Sequence, residues 1–223
     1  MPLTKEETKK ILNEKFNNAV EIKLEQHIYD ICEKFAYEVN PTTKYADCGQ
    51  NDMNKRLTDN IIGKVGEFAA YTELCALGKE YGFITTPPDT KIYKGRQKSW
   101  RADMLINCAD GYLCVAVKAQ SLSQALKYSF SGTFQCASFR KDAALEKNDE
   151  LIILCLVDDM SANNDRIMIL PPKIIGEIKF SDPKLPKYKG IKICYYARDN
   201  FDLDILRGWV DTFGINKEAI SIL

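Results

Sequence analysis

The order of elements along this chain predicts an α/β fold, a sheet with helices packed against it. Three observations carry that expectation. Residues 57 to 77 read as one long helix, residues 103 to 118 as two strands joined at an Asp-Gly turn, and Leu151 to Val157 as a wholly apolar strand. A strand that is apolar at every position must be covered on both faces, and only helices or a second layer can cover it.

From the N-terminus, Lys5 to Phe16 and Ile22 to Val39 read as amphipathic helices, the second with apolar residues at 24, 28, 31, 32 and 35. Asn40-Pro41-Thr42-Thr43 ends it, and the polar stretch 44 to 56 reads as a loop. Helix 57–77 follows and stops at Gly78. Tyr81 to Thr86 reads as a strand closed by Pro87-Pro88-Asp89, and 91 to 99 as loop or edge strand. Asp110-Gly111, between β-rich runs, marks a tight hairpin because both residues accept positive φ. Beyond Lys118 lies a polar and aromatic segment, then a short helix from Arg140 to Lys147 ahead of the 151–157 strand. The last third supplies strands at Arg166 to Leu170 and Ile191 to Tyr196, a loop at 181–190 and a helix at Phe201 to Phe213. There is no internal repeat or low-complexity tract. The expected organisation is a single domain, 1–223, made of an N-terminal helical arm (1–45), a core (55–160) and a C-terminal α+β extension (161–223).

Composition bounds the function. At 223 residues, 45% hydrophobic and 28% charged, the chain suits one globular core. Its net charge of zero argues against a non-specific nucleic-acid coat protein. The longest apolar run is too short to span a bilayer, and Met1 to Glu7 lacks the apolar segment of a secretion signal. A cytoplasmic protein with no membrane partner is therefore expected. The eight cysteines are scattered with no C-x-x-C pair, which favours reduced core thiols over disulfides. With a single histidine, His27, a zinc site is not expected, and His27 itself reads as a partly exposed helix residue.

Folding the hairpin at its turn brings Asp103 and Lys118 to the same end of the pair. In water two such charges would simply pair. Buried, they are costly unless something binds between them. On the preceding helix, positions 63, 67, 70, 71 and 74 share a face, which sets Glu67 among Gly63, Ala70, Tyr71 and Leu74 and turns it toward the sheet. Gly63 and Gly66 cost about 1 kcal/mol each inside a helix, and so predict a close approach by another backbone or a ligand. Around these residues, positions 91 to 147 hold ten Lys or Arg against four acids, a local excess suited to phosphates.

A helix carrying Gly-x-x-Gly-Glu, a strand with an Asp, a hairpin turn and a strand ending in x-Val-Lys together resemble the PD-(D/E)XK nuclease superfamily. That superfamily contains most type II restriction endonucleases and several repair nucleases and junction resolvases. The resemblance covers roughly residues 57 to 158. It implies a restriction-endonuclease-like αβββαβ core, a central mixed sheet flanked by helices, with 55–160 as the nuclease core. Asp103 matches the motif aspartate, Lys118 the motif lysine and Glu67 the helix-borne acid that many members add. The implied chemistry is Mg²⁺-dependent: carboxylates at 67, 103 and 116 hold the metal against the scissile phosphate, and Lys118 orients the attacking water. A compact ammonium suits that role.

The chain departs from the motif at one position that matters. Ala116 stands where an acid is required, two residues before Lys118; Ala102 in place of the motif proline matters little. Asp103, helped by Glu67 and a main-chain carbonyl at 117, would bind Mg²⁺ poorly, because a hard cation needs several oxygen ligands. Three explanations compete: an engineered Glu→Ala or Asp→Ala change, a naturally inactive relative, or an acid supplied from elsewhere, with Glu67 the candidate. The first is preferred here, since the surroundings of residue 116 still look equipped for catalysis. Expected DNA contacts are Lys98, Arg101, Gln120, Ser121, Ser123, Gln135, Arg140 and Lys141, with glutamine able to pair bidentately with adenine. The expected function is that of a Mg²⁺-dependent endonuclease on double-stranded DNA, resembling type II restriction enzymes, acting as a homodimer because two strands need two sites. With Ala116 it should bind and not cut. The alternatives are a branched-DNA repair nuclease or junction resolvase, a naturally inactive nucleic-acid-binding relative, and a protein–protein adaptor on the same fold.

Overall fold

A computed structural model describes residues 2–42, 51–93, 102–128, 133–137, 140–141, 150–159, 166–178, 180–181 and 193–196. The chain is a mixed α/β protein whose main sheet has helices against it. Helix α1 (Lys5–Lys15) opens on a capping box: Thr4 accepts from the Glu7 amide, while the Glu7 carboxylate accepts from the Thr4 amide at 2.7 Å. Strand β1 (Val20–Lys23) and helix α2 (Gln26–Val39) follow. The long helix α3 (Met53–Tyr81) precedes β2 (Ile84–Thr85), β3 (Met104–Cys108) and β4 (Gly111–Ser121). Then come α4 (Leu122–Tyr128), β5 (Thr133–Ala137), β6 (Arg140–Lys141), β7 (Leu151–Val157), β8 (Arg166–Ile169) and β9 (Lys173–Ile174). Strands β10 (Phe180–Ser181) and β11 (Ile193–Tyr196) complete the described elements.

The main sheet runs in the order β1-β8-β7-β4-β3-β2, with β9 also paired to β7. Strands β2, β3 and β4 form an antiparallel meander, and β4 lies parallel to β7, with Lys118 beside Leu154 and Ala119 beside Cys155. A parallel pair needs a crossover, which here contains α4. Four short strands, in the order β10-β11-β5-β6, make a second sheet.

Alternation along each strand divides the main sheet into two faces. One face carries Met104, Ile106, Leu113, Val115, Val117, Ile153, Cys155, Val157, Ile167 and Ile169, packed with Val65, Ala69, Ala70 and Leu74 of α3 and Leu12 and Phe16 near α1. The other face carries Cys114, Ala116, Ile152, Leu154, Leu156 and Met168, and these are buried too. Leu151–Val157 is thus buried along its whole length, as its composition predicts.

Several element boundaries differ from the sequence expectation, each for a physical reason. The second helix does not begin at Ile22. Residues 20–23 are a strand that pairs with β8, placing Val20 and Ile22 against the core beside Ile169 and Ile167. A bidentate Arg166–Glu21 pair, 2.7 and 2.8 Å, reinforces the join. The long helix is longer at both ends. Asp52 caps it by accepting from the amides of Asn54 and Lys55. It passes through Gly78 to stop at Gly82, whose φ of 89° lets the chain reverse so that the amides of Gly82 and Phe83 both reach the Gly78 carbonyl. Tyr81 consequently belongs to the helix, and the strand after it shrinks to Ile84–Thr85. The hairpin loop is Ala109-Asp110, with Gly111 already paired to Cys108 at φ 123°. It is fixed from outside, since Asp110 accepts from the Lys5 amide at the start of α1 and the Ala109 amide reaches the Leu3 carbonyl. Residues 119–121 continue β4 and 122–128 form a helix, because Leu122 and Ala125 are buried at the sheet's end. Arg140 and Lys141 are strand, not helix. The predicted 201–213 helix and most of the 44–50, 142–147 and 181–190 segments lie outside the described residues.

The two glycines inside α3 have opposite surroundings. A Cβ on Gly66 would stand 2.6 Å from the Ala119 Cβ and 3.3 Å from the Cys155 Cβ, the close approach that an interior glycine predicts. A Cβ on Gly63 would meet no described atom within 4 Å. Gly63→Ala is therefore expected to raise stability by about 1 kcal/mol through helix propensity alone, seen as a higher urea midpoint at unchanged slope.

Candidate functional site

The β3–β4 register sets Met104 opposite Val115, so Asp103, one residue earlier, comes opposite Ala116. Asp103 lies just ahead of the strand and reaches across to it, its Oδ2 accepting from the Val117 amide at 2.7 Å. Ala116 and Lys118 share the sheet face away from α3, while Val117 and Ala119 face the helix. Position 116 is buried, and its methyl group sits across from the Asp103 carboxylate and beside Ile152 of β7.

Glu67 reaches this end of the sheet from α3, which the bare Gly66 lets settle directly onto Ala119 and Cys155. Its side chain is 16% exposed. Burial pushes its carboxyl up to about 8, and the Asp103 charge pushes the same way, against the pull of Lys64 and Lys118. The chain thus brings Asp103 and Lys118, the two strand-borne residues, within electrostatic reach of the helix-borne acid. Burial also raises the thiols of Cys155 and Cys32, the latter to about 12, and both lie close enough to Glu67 to feel its charge. Such thiols are neutral and poor metal ligands at ordinary pH.

One member of the cluster was not singled out by the sequence. Lys64, one turn before Glu67, is only 6% exposed and donates to Glu67 Oε2 at 2.6 Å. Its i, i+3 spacing to an acid was the available signal, and on most helices that spacing marks a solvated surface pair.

The raised Glu67 carboxyl carries a pH consequence. Between its unfolded value of 4.5 and its folded value of about 8, the unfolded chain releases a proton that the folded chain keeps. Stability owed to this group is full below pH 4.5 and declines as pH rises toward 8. The urea midpoint is expected to fall across that window, and Glu67→Gln should flatten the fall. An equal slope in both proteins would show the group to be unperturbed.

Of the other expected DNA contacts, Gln120 is half-buried near the end of β4. Ser121 is buried, and its hydroxyl accepts from the Gln124 amide and lies 3.3 Å from that of Ser123. Ser123 gives its amide (2.9 Å) and its hydroxyl to the Asp159 carboxylate. Both serines thus spend hydrogen bonds on starting α4. Lys98 and Arg101 lie outside the described residues, as do the side chains of Gln135, Arg140 and Lys141. His27 is exposed on α2, 3.2 Å from Glu25. No described helix is long and apolar enough to cross a membrane.

The donor set does not fit a divalent cation with Ala116 in place. Glu67 is committed to Lys64, Asp103 takes a backbone amide, and position 116 offers a methyl group. Among the described residues no three His, Cys, Asp or Glu side chains gather as a cage. Six oxygen ligands at about 2.1 Å are what Mg²⁺ demands. No protein-family model, curated protein or solved structure matches this chain.

Proposed function

We propose that the chain is a duplex-DNA-binding protein built on a restriction-endonuclease-like core, which holds DNA at the Asp103–Lys118 end of the sheet and does not cut it while residue 116 is alanine. The single observation that carries this reading is the register. Asp103 lies opposite position 116, Lys118 stands two residues on along the same face, and Glu67 is close enough to feel both charges. Further support comes from element order: helix α3, the antiparallel meander β2–β3–β4, helix α4 and, after the second-sheet strands β5 and β6, β7 parallel to β4 are in the order of the αβββαβ core that the resemblance implies. Lys118 lies in this reading against a phosphodiester, and the basic excess of residues 91–147 would neutralise the flanking phosphates. Two copies acting on the two strands of a duplex fit one site per chain.

The test is fluorescence anisotropy of the unaltered chain with linear duplexes and with a four-way junction, over a salt series. Affinity for duplex should fall steeply with salt. Lys118→Met should weaken it uniformly across sequences and reduce the salt slope by about 1, the loss of one phosphate contact. Preference for the junction regardless of sequence would point to a resolvase-like role. An absence of salt-dependent affinity for either DNA would sink the proposal and leave the adaptor reading.

A further inference from the structure

Lys64 has no place in the nuclease resemblance, yet the chain is built around it. Its ammonium is buried, and three elements meet it: the Glu67 carboxylate on its own helix at 2.6 Å, the Asp89 main-chain carbonyl after β2 at 2.8 Å, and the Phe35 ring of α2, whose centroid is 4.3 Å away. An ammonium has three protons, and these contacts offer one acceptor for each, the aromatic face included. The Asp89 carbonyl is held in position. The Asp89 carboxylate turns to the Tyr93 hydroxyl (2.5 Å) and the Lys91 amide (2.9 Å). A lysine this buried is tolerated because its ammonium is partnered by all three contacts.

Charge balance points the same way. The groups acting on Glu67 are Lys64 from α3, Asp103 from the strand β3 end, Lys118 from β4, and the neutral thiols of Cys32 and Cys155 from α2 and β7. Among the described residues, two ammonium groups act on Glu67 against the single further carboxylate of Asp103, so the charge facing Glu67 is net positive. Sites for hard divalent cations carry an excess of carboxylate instead.

We propose that Lys64 is the resident cation of this site: its ammonium occupies the place beside Glu67 that a divalent ion would need, so Glu67 is held without metal, and metal binding at Glu67 requires its displacement. Lys64 is thus a positioning residue, acting through Glu67. The claim goes beyond the DNA-binding reading and is tested without nucleic acid, so that each can fail separately.

The experiment is a Mn²⁺ titration of the full chain, followed by the resonance signal of free Mn²⁺, on the unaltered protein, Lys64→Met, Lys64→Arg, Glu67→Gln and the Lys64→Met/Glu67→Gln pair. Removing the charge in Lys64→Met should tighten Mn²⁺ binding by about tenfold or more. Adding Glu67→Gln should abolish that gain, and Lys64→Arg should show none. A purely structural lysine would alter the melting temperature of Lys64→Met and leave its metal affinity where it was. The proposal is overturned if folded Lys64→Met binds Mn²⁺ no better than the parent. It is equally overturned if the unaltered chain binds Mn²⁺ saturably and loses it in Glu67→Gln, a comparison that stands even where Lys64→Met does not fold.

Discussion

Ala116→Glu is expected, on the DNA-binding reading proposed above, to give the chain Mg²⁺-dependent cleavage of DNA. Position 116 lies opposite Asp103 and on the same face as Lys118, so a glutamate there would put two carboxylates on adjacent strands. Two close acids raise each other's pKa and relieve that repulsion by taking a cation. The new acid also lowers the net charge of the cluster of Lys64, Lys118, Glu67 and Asp103 by one, which favours a divalent ion over the resident lysine alone. A metal at a scissile phosphate stabilises the transition state by several kcal/mol, which corresponds to about 10³-fold or more in rate. The measurement is nicking and linearisation of supercoiled plasmid by Ala116→Glu with Mg²⁺ and with chelator, beside the parent and Ala116→Gln. Both of the latter should be silent, since neither adds a charge. If Ala116→Glu folds and binds DNA yet leaves plasmid, linear duplex and junction intact with Mg²⁺ or Mn²⁺, the chain is a binding protein in which alanine belongs at 116.

How legible this architecture is from sequence depends on how local its causes are. The apolar run of β7 and the hairpin around Ala109-Asp110 are written in adjacent residues, and both appear within a residue or two of where they were expected. Residues 20–23 are a different case. Four residues with Val20 and Ile22 alternating fit either a helix start or a strand, and their partner β8 lies more than 140 residues away. Nothing local reveals that pairing. The end of α3 turns on a similar ambiguity between two glycines. Gly78 and Gly82 both read as stops, and only the reversal that packs Phe83 back against the helix selects the second. Lys64 was hidden for another reason: the partners that bury it, Phe35 and Asp89, come from segments about 25 to 30 residues away on either side. The i, i+3 acid told of a pair but not that the pair is enclosed.

Gly66→Val should be strongly destabilising, and it tests how α3 is seated over the site. The atoms that a side chain at 66 would strike are the Cβ atoms of Ala119 and Cys155, fixed to neighbouring strands that are themselves paired in register, so no rotamer change can move them aside. The Cys155 thiol also donates to the Gly66 carbonyl at 3.5 Å, a contact that closes only while the helix lies this near. Valine offers some helix propensity over glycine, worth a few tenths of a kcal/mol. Overpacking against rigid neighbours costs about 1–3 kcal/mol or more and wins easily. A net loss of about 3 kcal/mol corresponds to a melting temperature lower by about 6–12 °C at this chain length. Because Glu67 lies on the same helix, lifting α3 should also expose its carboxyl to water, relieve the burial that raises it and flatten the pH dependence of stability between 4.5 and 8. Gly63→Ala, three residues earlier, should do the reverse on stability and leave that pH dependence intact. Thermal melts and urea titrations of the two variants at pH 5 and pH 8 make the comparison, and a Gly66→Val protein as stable as its parent would mean that α3 does not rest on β4 and β7 at this point.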